Sequence, residues 1–152
     1  QRQMCIRDRN DFERQWAETG TAVLDAVREV GESGWYILGR QVSAFESSLS
    51  EFWGLAHAVG VASGLDAIEI GLRACGCKAG DKVMVPPVSA FATVLAVVRL
   101  GAIPVFVDCD AYGLADLELA EKAMEADPAI RYFVPVHLYG HCLDMARMER
   151  LK

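Results

Sequence analysis

Several features are scarce or missing in these 152 residues, and each absence narrows the reading. No apolar run approaches the ~20 residues needed to cross a bilayer, and the start of the chain lacks the apolar core of a secretory leader. No membrane span or export signal is expected, and the chain reads as cytoplasmic. The five cysteines (Cys5, Cys75, Cys77, Cys109, Cys142) are odd in number and contain no CxxC pair. That argues against a disulfide framework or a metal site and for buried, reduced thiols. Basic residues are outnumbered, 15 Lys and Arg against 21 Asp and Glu, and a net charge of −6 argues against a nucleic-acid binder. Neither GxGxxG nor GxxxxGK[ST] occurs, so the usual nucleotide fingerprints are absent. No internal repeat or low-complexity segment is present.

What is there is a chain of one domain's length with 53% hydrophobic residues, enough for a sizeable core. Its most informative stretch is AVGVASGLDAIEIGLRA at 58–74. Residues 58–62 are an apolar run of strand length, Ser63-Gly64 breaks it, and Leu65, Ile68 and Leu72 then recur at helical spacing. A strand turning straight into a helix leaves backbone N–H groups unpaired at the positive end of the helix dipole, which suits a phosphate or carboxylate. Gly64 would let the backbone approach such an anion, and the Ser63 hydroxyl could add a hydrogen bond. Ser63 as an ordinary helix cap is the alternative.

Before this stretch the pattern is helical. From a cap at Asn10, Phe12, Trp16, Val23, Leu24, Val27 and Val30 share a broad face, and Gly31 is expected to stop the helix. Residues 32–39, ESGWYILG, read as a loop with Trp35, Tyr36, Ile37 and Leu38 between glycines, and a second helix ends at Gly54. After it strands and helices alternate. Strands are expected at 58–62, 82–85, 103–107 and 132–137, and helices at 65–74, 91–100 and 114–126, with Asp116 as a cap and another helix from Leu143. Such alternation predicts an α/β fold with a mainly parallel sheet flanked by helices. Ligands in such sheets bind where the strands end. Those ends carry Ser63-Gly64, Phe91, Asp108-Cys109-Asp110 and the His137-Leu138-Tyr139-Gly140-His141 run. Phe91 as core, the aspartates as turn formers and His137 as a structural histidine are the plainer alternatives.

Taken in order, GWYILG, VxxFE, AVGVASGLDAIEIGLRA, GDKVMVPP, FAT, GAIPVFVDCD and PVHLYG resemble the DegT/StrS-type sugar aminotransferases over residues 31–152. The resemblance implies the large domain of the aspartate-aminotransferase (type I) fold, with pyridoxal 5′-phosphate as cofactor. It implies amination of nucleotide-linked keto sugars, dTDP-linked among them, with an amino-acid donor such as glutamate, and a homodimer. It places Ser63, Gly64 and Leu65 at the cofactor phosphate, although the family usually has Thr where Leu65 stands. An aromatic residue stacks on the pyridine ring in the family. Strict register puts Ala90 there, and Phe91 beside it is the candidate. Trp35, Tyr36, His137 and Tyr139 are candidates for the substrate site or a subunit interface.

A transaminase needs a lysine on the cofactor and a carboxylate facing the pyridine nitrogen. The lysines are Lys78, Lys82, Lys122 and Lys152, and none is placed for that role. In the family both residues come later than PVHLYG, so the chain reads as the N-terminal part of an enzyme, inactive alone. Residues 1–9 read as a non-native leader, 10–57 as N-terminal helices with an active-site loop, and 58–152 as the first part of the cofactor domain. A dehydratase or regulator of the same fold is the alternative, and a Rossmann-type nucleotide module a more distant one.

Overall fold

The structure of the protein, a computed structural model, describes residues 11–151. The expected leader at 1–9, Cys5, the expected cap Asn10 and Lys152 lie outside the described residues. The chain divides into two compact units, Gln1–Gly60 and Val61–Lys152.

In the first unit helix α1 runs Phe12–Ser33, and the Asp11 side chain accepts from the Arg14 N–H. Gly31 does not stop it. A glycine inside a helix costs only about 1 kcal/mol, and the helix continues until Gly34 takes a left-handed φ of 66° and returns its N–H to the Gly31 carbonyl. Helix α2 spans Arg40–Trp53 and ends as expected at a left-handed Gly54. The apolar face of α1 (Phe12, Trp16, Leu24, Val27) stays exposed, and so do Phe45 and Phe52 of α2.

Residues 58–62, expected as a strand, form none. A strand needs a neighbour to take its backbone groups. No described strand pairs with this stretch, and the Gly60 N–H goes instead to Glu46 Oε1 at 2.7 Å. The sheet therefore has three described strands where four were expected.

The second unit holds helix α3 (Gly64–Ala74), β1 (Lys82–Val85), α4 (Phe91–Arg99), β2 (Ile103–Phe106), α5 (Leu117–Ala126), β3 (Ile130–Phe133) and α6 (Met145–Arg150). The strand order is β2-β1-β3, with both pairings parallel. Strand β3 begins and ends earlier than the expected 132–137, although the Val134 N–H still bonds the Met84 carbonyl. Alternation along β1 divides the core. Val83 and Val85 face a cluster with Leu72, Val97 and Leu100 from the α3 and α4 side, while Met84 faces Leu117, Ala120 and Leu143 from the α5 and α6 side. Helices thus cover both faces of a parallel sheet, the arrangement that hydrophobic strands require.

The four described cysteines are free, but only Cys77 is buried, and Cys75 and Cys142 are exposed. The expectation of buried thiols is corrected to that extent. Cys75 caps the end of α3 and Cys142 lies in the stretch before α6, and neither belongs to an apolar cluster. Burial, reinforced by the Asp81 carboxylate, pushes the Cys77 thiol up.

Candidate functional site

In a parallel sheet the segments leaving the strands share one edge. Here they are the stretch leading from Val85 to Phe91, the Asp108–Asp110 turn after β2, and the run through His137 and Tyr139 after β3. Helix α3 ends where β1 begins, so its first turn faces the edge at which the strands end. Ser63, Gly64, Leu65, Phe91, His137 and Tyr139 therefore belong to one edge of the second unit. Trp35 and Tyr36 lie in the first.

The start of α3 is capped by the Ser63 side chain. Ser63 is extended, at φ −158° and ψ 163°, and its Oγ accepts from the Asp66 N–H at 3.2 Å. The same hydroxyl donates to Asp66 Oδ2 at 2.7 Å. That commits the proton expected to serve an anion. The donors left over are the N–H groups of Gly64 and Leu65, which have no partner among the described residues. Apart from its chain neighbours and its own helix backbone, nothing lies within 4 Å of a Cβ built on Gly64, so there is open space beside this residue. The Asp66 carboxylate opposes a second anion there, but Arg99 tempers it at 3.4 Å. Arg99 also reaches 3.1 Å from Glu69 Oε2, an ion pair without a hydrogen bond.

Phe91 opens α4 and is 77% exposed, so it is a free ring and not core. Beside it Ser89 Oγ and Thr93 Oγ1 share a hydrogen bond of 2.7 Å. His137 Nδ1 accepts from the Leu143 N–H at 3.2 Å, which assigns the proton of the neutral ring to Nε2. Tyr139 and Gly140 both have positive φ, 54° and 82°, and the His141 N–H closes the turn on the Leu138 carbonyl. A tyrosine in that conformation is strained by about 1–2 kcal/mol, yet it stands 83% exposed. Asp110 is a turn former, accepting from the Tyr112 and Leu114 N–H groups. Asp108 likewise accepts from the Cys109 N–H.

The described lysines sit elsewhere. Lys82 starts β1 and pairs with Asp127, Lys122 pairs with Glu118 on the outside of α5, and Lys78 is exposed in the turn before β1. A sequence reading passed over Asp66 and Leu143. The first was legible as Ser63-x-x-Asp66. The second contributes a backbone N–H, which no residue letter reveals.

A sequence model of the DegT/DnrJ/EryC1/StrS aminotransferase family matches residues 18–152. The chain belongs to this family. Among its relatives is dTDP-3-amino-3,4,6-trideoxy-alpha-D-glucose transaminase of Micromonospora megalomicea subsp. nigra, 41% identical over 93% of this chain and 36% of that protein. Another is dTDP-3-amino-3,6-dideoxy-alpha-D-galactopyranose transaminase of Aneurinibacillus thermoaerophilus, 40% identical over 81% of this chain and 34% of that protein. The crystal structure of S. venezuelae DesV in complex with a ketimine intermediate superposes with a TM-score of 0.84 at 38% identity, covering 91% of this chain and 37% of DesV. The chain thus spans little more than a third of the family members it matches. The sheet flanked by helices is the family's fold.

Proposed function

We propose that the whole protein carrying this chain is a pyridoxal-phosphate-dependent aminotransferase acting on a nucleotide-linked keto sugar. The family match over residues 18–152 carries this reading. The relatives' names favour a dTDP-linked sugar that lacks hydroxyls, aminated at carbon 3. The protein would work as a homodimer in the cytoplasm, with an amino acid such as glutamate as donor.

The residues present suit the cofactor in its phosphate and its ring. The free N–H groups of Gly64 and Leu65 at the positive end of α3 would hold the phosphate. Phe91 offers an exposed face for the ring. Ser63 would contribute only by turning its hydroxyl away from Asp66. When bound, pyridoxal phosphate supplies an electron sink for the carbon that gains or loses nitrogen. His137, its ring fixed through Nδ1, presents Nε2–H as a donor to a sugar or ring oxygen. Tyr139, held outward by its turn, would border the sugar. Trp35 and Tyr36, exposed on the loop of the first unit, would meet a substrate or a second subunit. The lysine and the carboxylate that complete the chemistry would come from sequence beyond this chain.

The test is amination by the whole protein, supplied with pyridoxal phosphate, glutamate and a dTDP-linked 3-keto-6-deoxy sugar, followed by mass spectrometry of the nucleotide product. An amino sugar is expected. Failure to aminate any dTDP- or UDP-linked keto sugar, with the cofactor bound, refutes the reading.

A further inference from the structure

Asp66, Glu69 and Arg99 meet beside the capped start of α3. Asp66 lies in the first turn of that helix, Glu69 follows a turn later, and Arg99 closes α4. Arg99 Nη1 is 3.4 Å from Asp66 Oδ1, at the long end of a hydrogen bond. Arg99 Nε is 3.1 Å from Glu69 Oε2, yet that oxygen is buried and accepts no hydrogen bond among the described residues. A buried carboxylate oxygen is seldom left without a donor. Glu69 does not depend on Arg99, because its other oxygen accepts from Arg73 at 3.2 and 3.0 Å. The Arg99 guanidinium therefore stands between two carboxylates with a tight bond to neither. Asp66 is meanwhile shared, its Oδ2 taking the Ser63 hydroxyl at 2.7 Å.

We propose that Arg99 is a positioning residue for the cofactor phosphate, taking over Asp66 when Ser63 turns its hydroxyl from that carboxylate to the phosphate. The inference rests on the cofactor reading above and adds to it a residue outside the phosphate's own contacts. Ser63 can donate to an anion only by giving up its bond to Asp66. Its oxygen can go on accepting the Asp66 N–H at 3.2 Å, so the helix cap survives and only the proton turns. The turn strips Asp66 of a donor just as a second negative charge arrives, which is unfavourable on both counts. Arg99 supplies the remedy. Its planar fork of donors already faces Asp66, and closing the 3.4 Å contact replaces a neutral hydroxyl with a charge-assisted bond.

The test is titration of the whole protein with pyridoxamine 5′-phosphate, followed by fluorescence, with thermal unfolding of each variant alongside. Arg99 is half exposed, so its variants should fold. Arg99→Gln should weaken binding about fivefold, and added salt should narrow the difference. Arg99→Lys keeps the charge and should recover most of the loss. In the Asp66→Asn background Arg99→Gln should change affinity less than about twofold, because the charge that Arg99 answers is gone. Its effect should also shrink in the Ser63→Ala background, where no hydroxyl is released. Arg73→Gln removes the other partner of Glu69 without touching Asp66, and should leave the affinity unchanged. Unchanged affinity in Arg99→Gln overturns the assignment. So does an equal loss in the Asp66→Asn background, which would make Arg99 a direct attraction for the phosphate. An equal loss in the Ser63→Ala background overturns the hand-over, and an equal loss in Arg73→Gln would mean that pinning of the helix sets the affinity. Absence of pyridoxamine 5′-phosphate binding by the unmutated protein refutes the cofactor reading itself, and this inference with it.

Discussion

Asp66→Asn separates two roles that meet at the start of α3. The carboxylate accepts the Ser63 hydroxyl at 2.7 Å and lies 3.4 Å from Arg99. Asparagine keeps an acceptor for Ser63 and removes the charge. The helix loses a negative charge in its first turn, worth about 0.3–1 kcal/mol. It also loses a half-exposed ion pair worth about 0–1 kcal/mol, because Arg99 keeps Glu69. Stability should fall by about 1 kcal/mol. Binding of the phosphate should move the other way. A dianion within a turn of the carboxylate is repelled by about 1 kcal/mol in a water-like dielectric, so its removal should tighten binding about fivefold. Pyridoxamine 5′-phosphate, titrated into the whole protein by fluorescence, isolates this term because it forms no bond to lysine. Thermal unfolding reports the stability. Raising ionic strength should shrink the gain in affinity. Weaker binding in Asp66→Asn would mean that the phosphate does not sit at Gly64 and Leu65.

Made alone and treated with pyridoxal phosphate and borohydride, the 152-residue chain should carry no stoichiometric label on any one lysine. Peptide mapping that finds a single labelled lysine would show that this chain holds its own cofactor lysine. The Lys82 ammonium, with the Ala129 N–H, holds the Asp127 carboxyl below its ordinary range. A lowered folded pKa gives stability that is present above the unfolded pKa of about 3.9 and is lost as pH falls through the folded value. The stability gap between the unmutated protein and Asp127→Asn should therefore close between about pH 5 and pH 2, and a gap that widens on acidification would contradict the pairing. Light scattering on the chain alone should show association, because the apolar faces of α1 and α2 and the outer edges of β2 and β3 have no cover among the described residues. A monodisperse monomer would mean that these surfaces pack internally.

Much of the second unit was legible because its signals are local. Val83, Met84 and Val85 form a run that both faces must bury, and Asp116 sits one residue before its helix. Ser63-x-x-Asp66 announces a helix start. Residues 58–62 misled for a physical reason. Val59 and Val61 carry strand propensity, but propensity describes a fit to neighbours, and those neighbours are not among the described strands.

The candidate site was legible as residue types but not as directions. The letters HLYGHCL cannot say that the Leu143 N–H fixes His137, because the donor belongs to the backbone six residues on. Nor can GWYILG say that the Trp35 indole and the Tyr36 hydroxyl find acceptors close by while all four large side chains stay exposed. Both acceptors are carbonyls of the loop and of the helix turn before it. At Tyr139 the turn closed by the His141 N–H, and not the tyrosine's own preference, sets an aromatic ring in solvent.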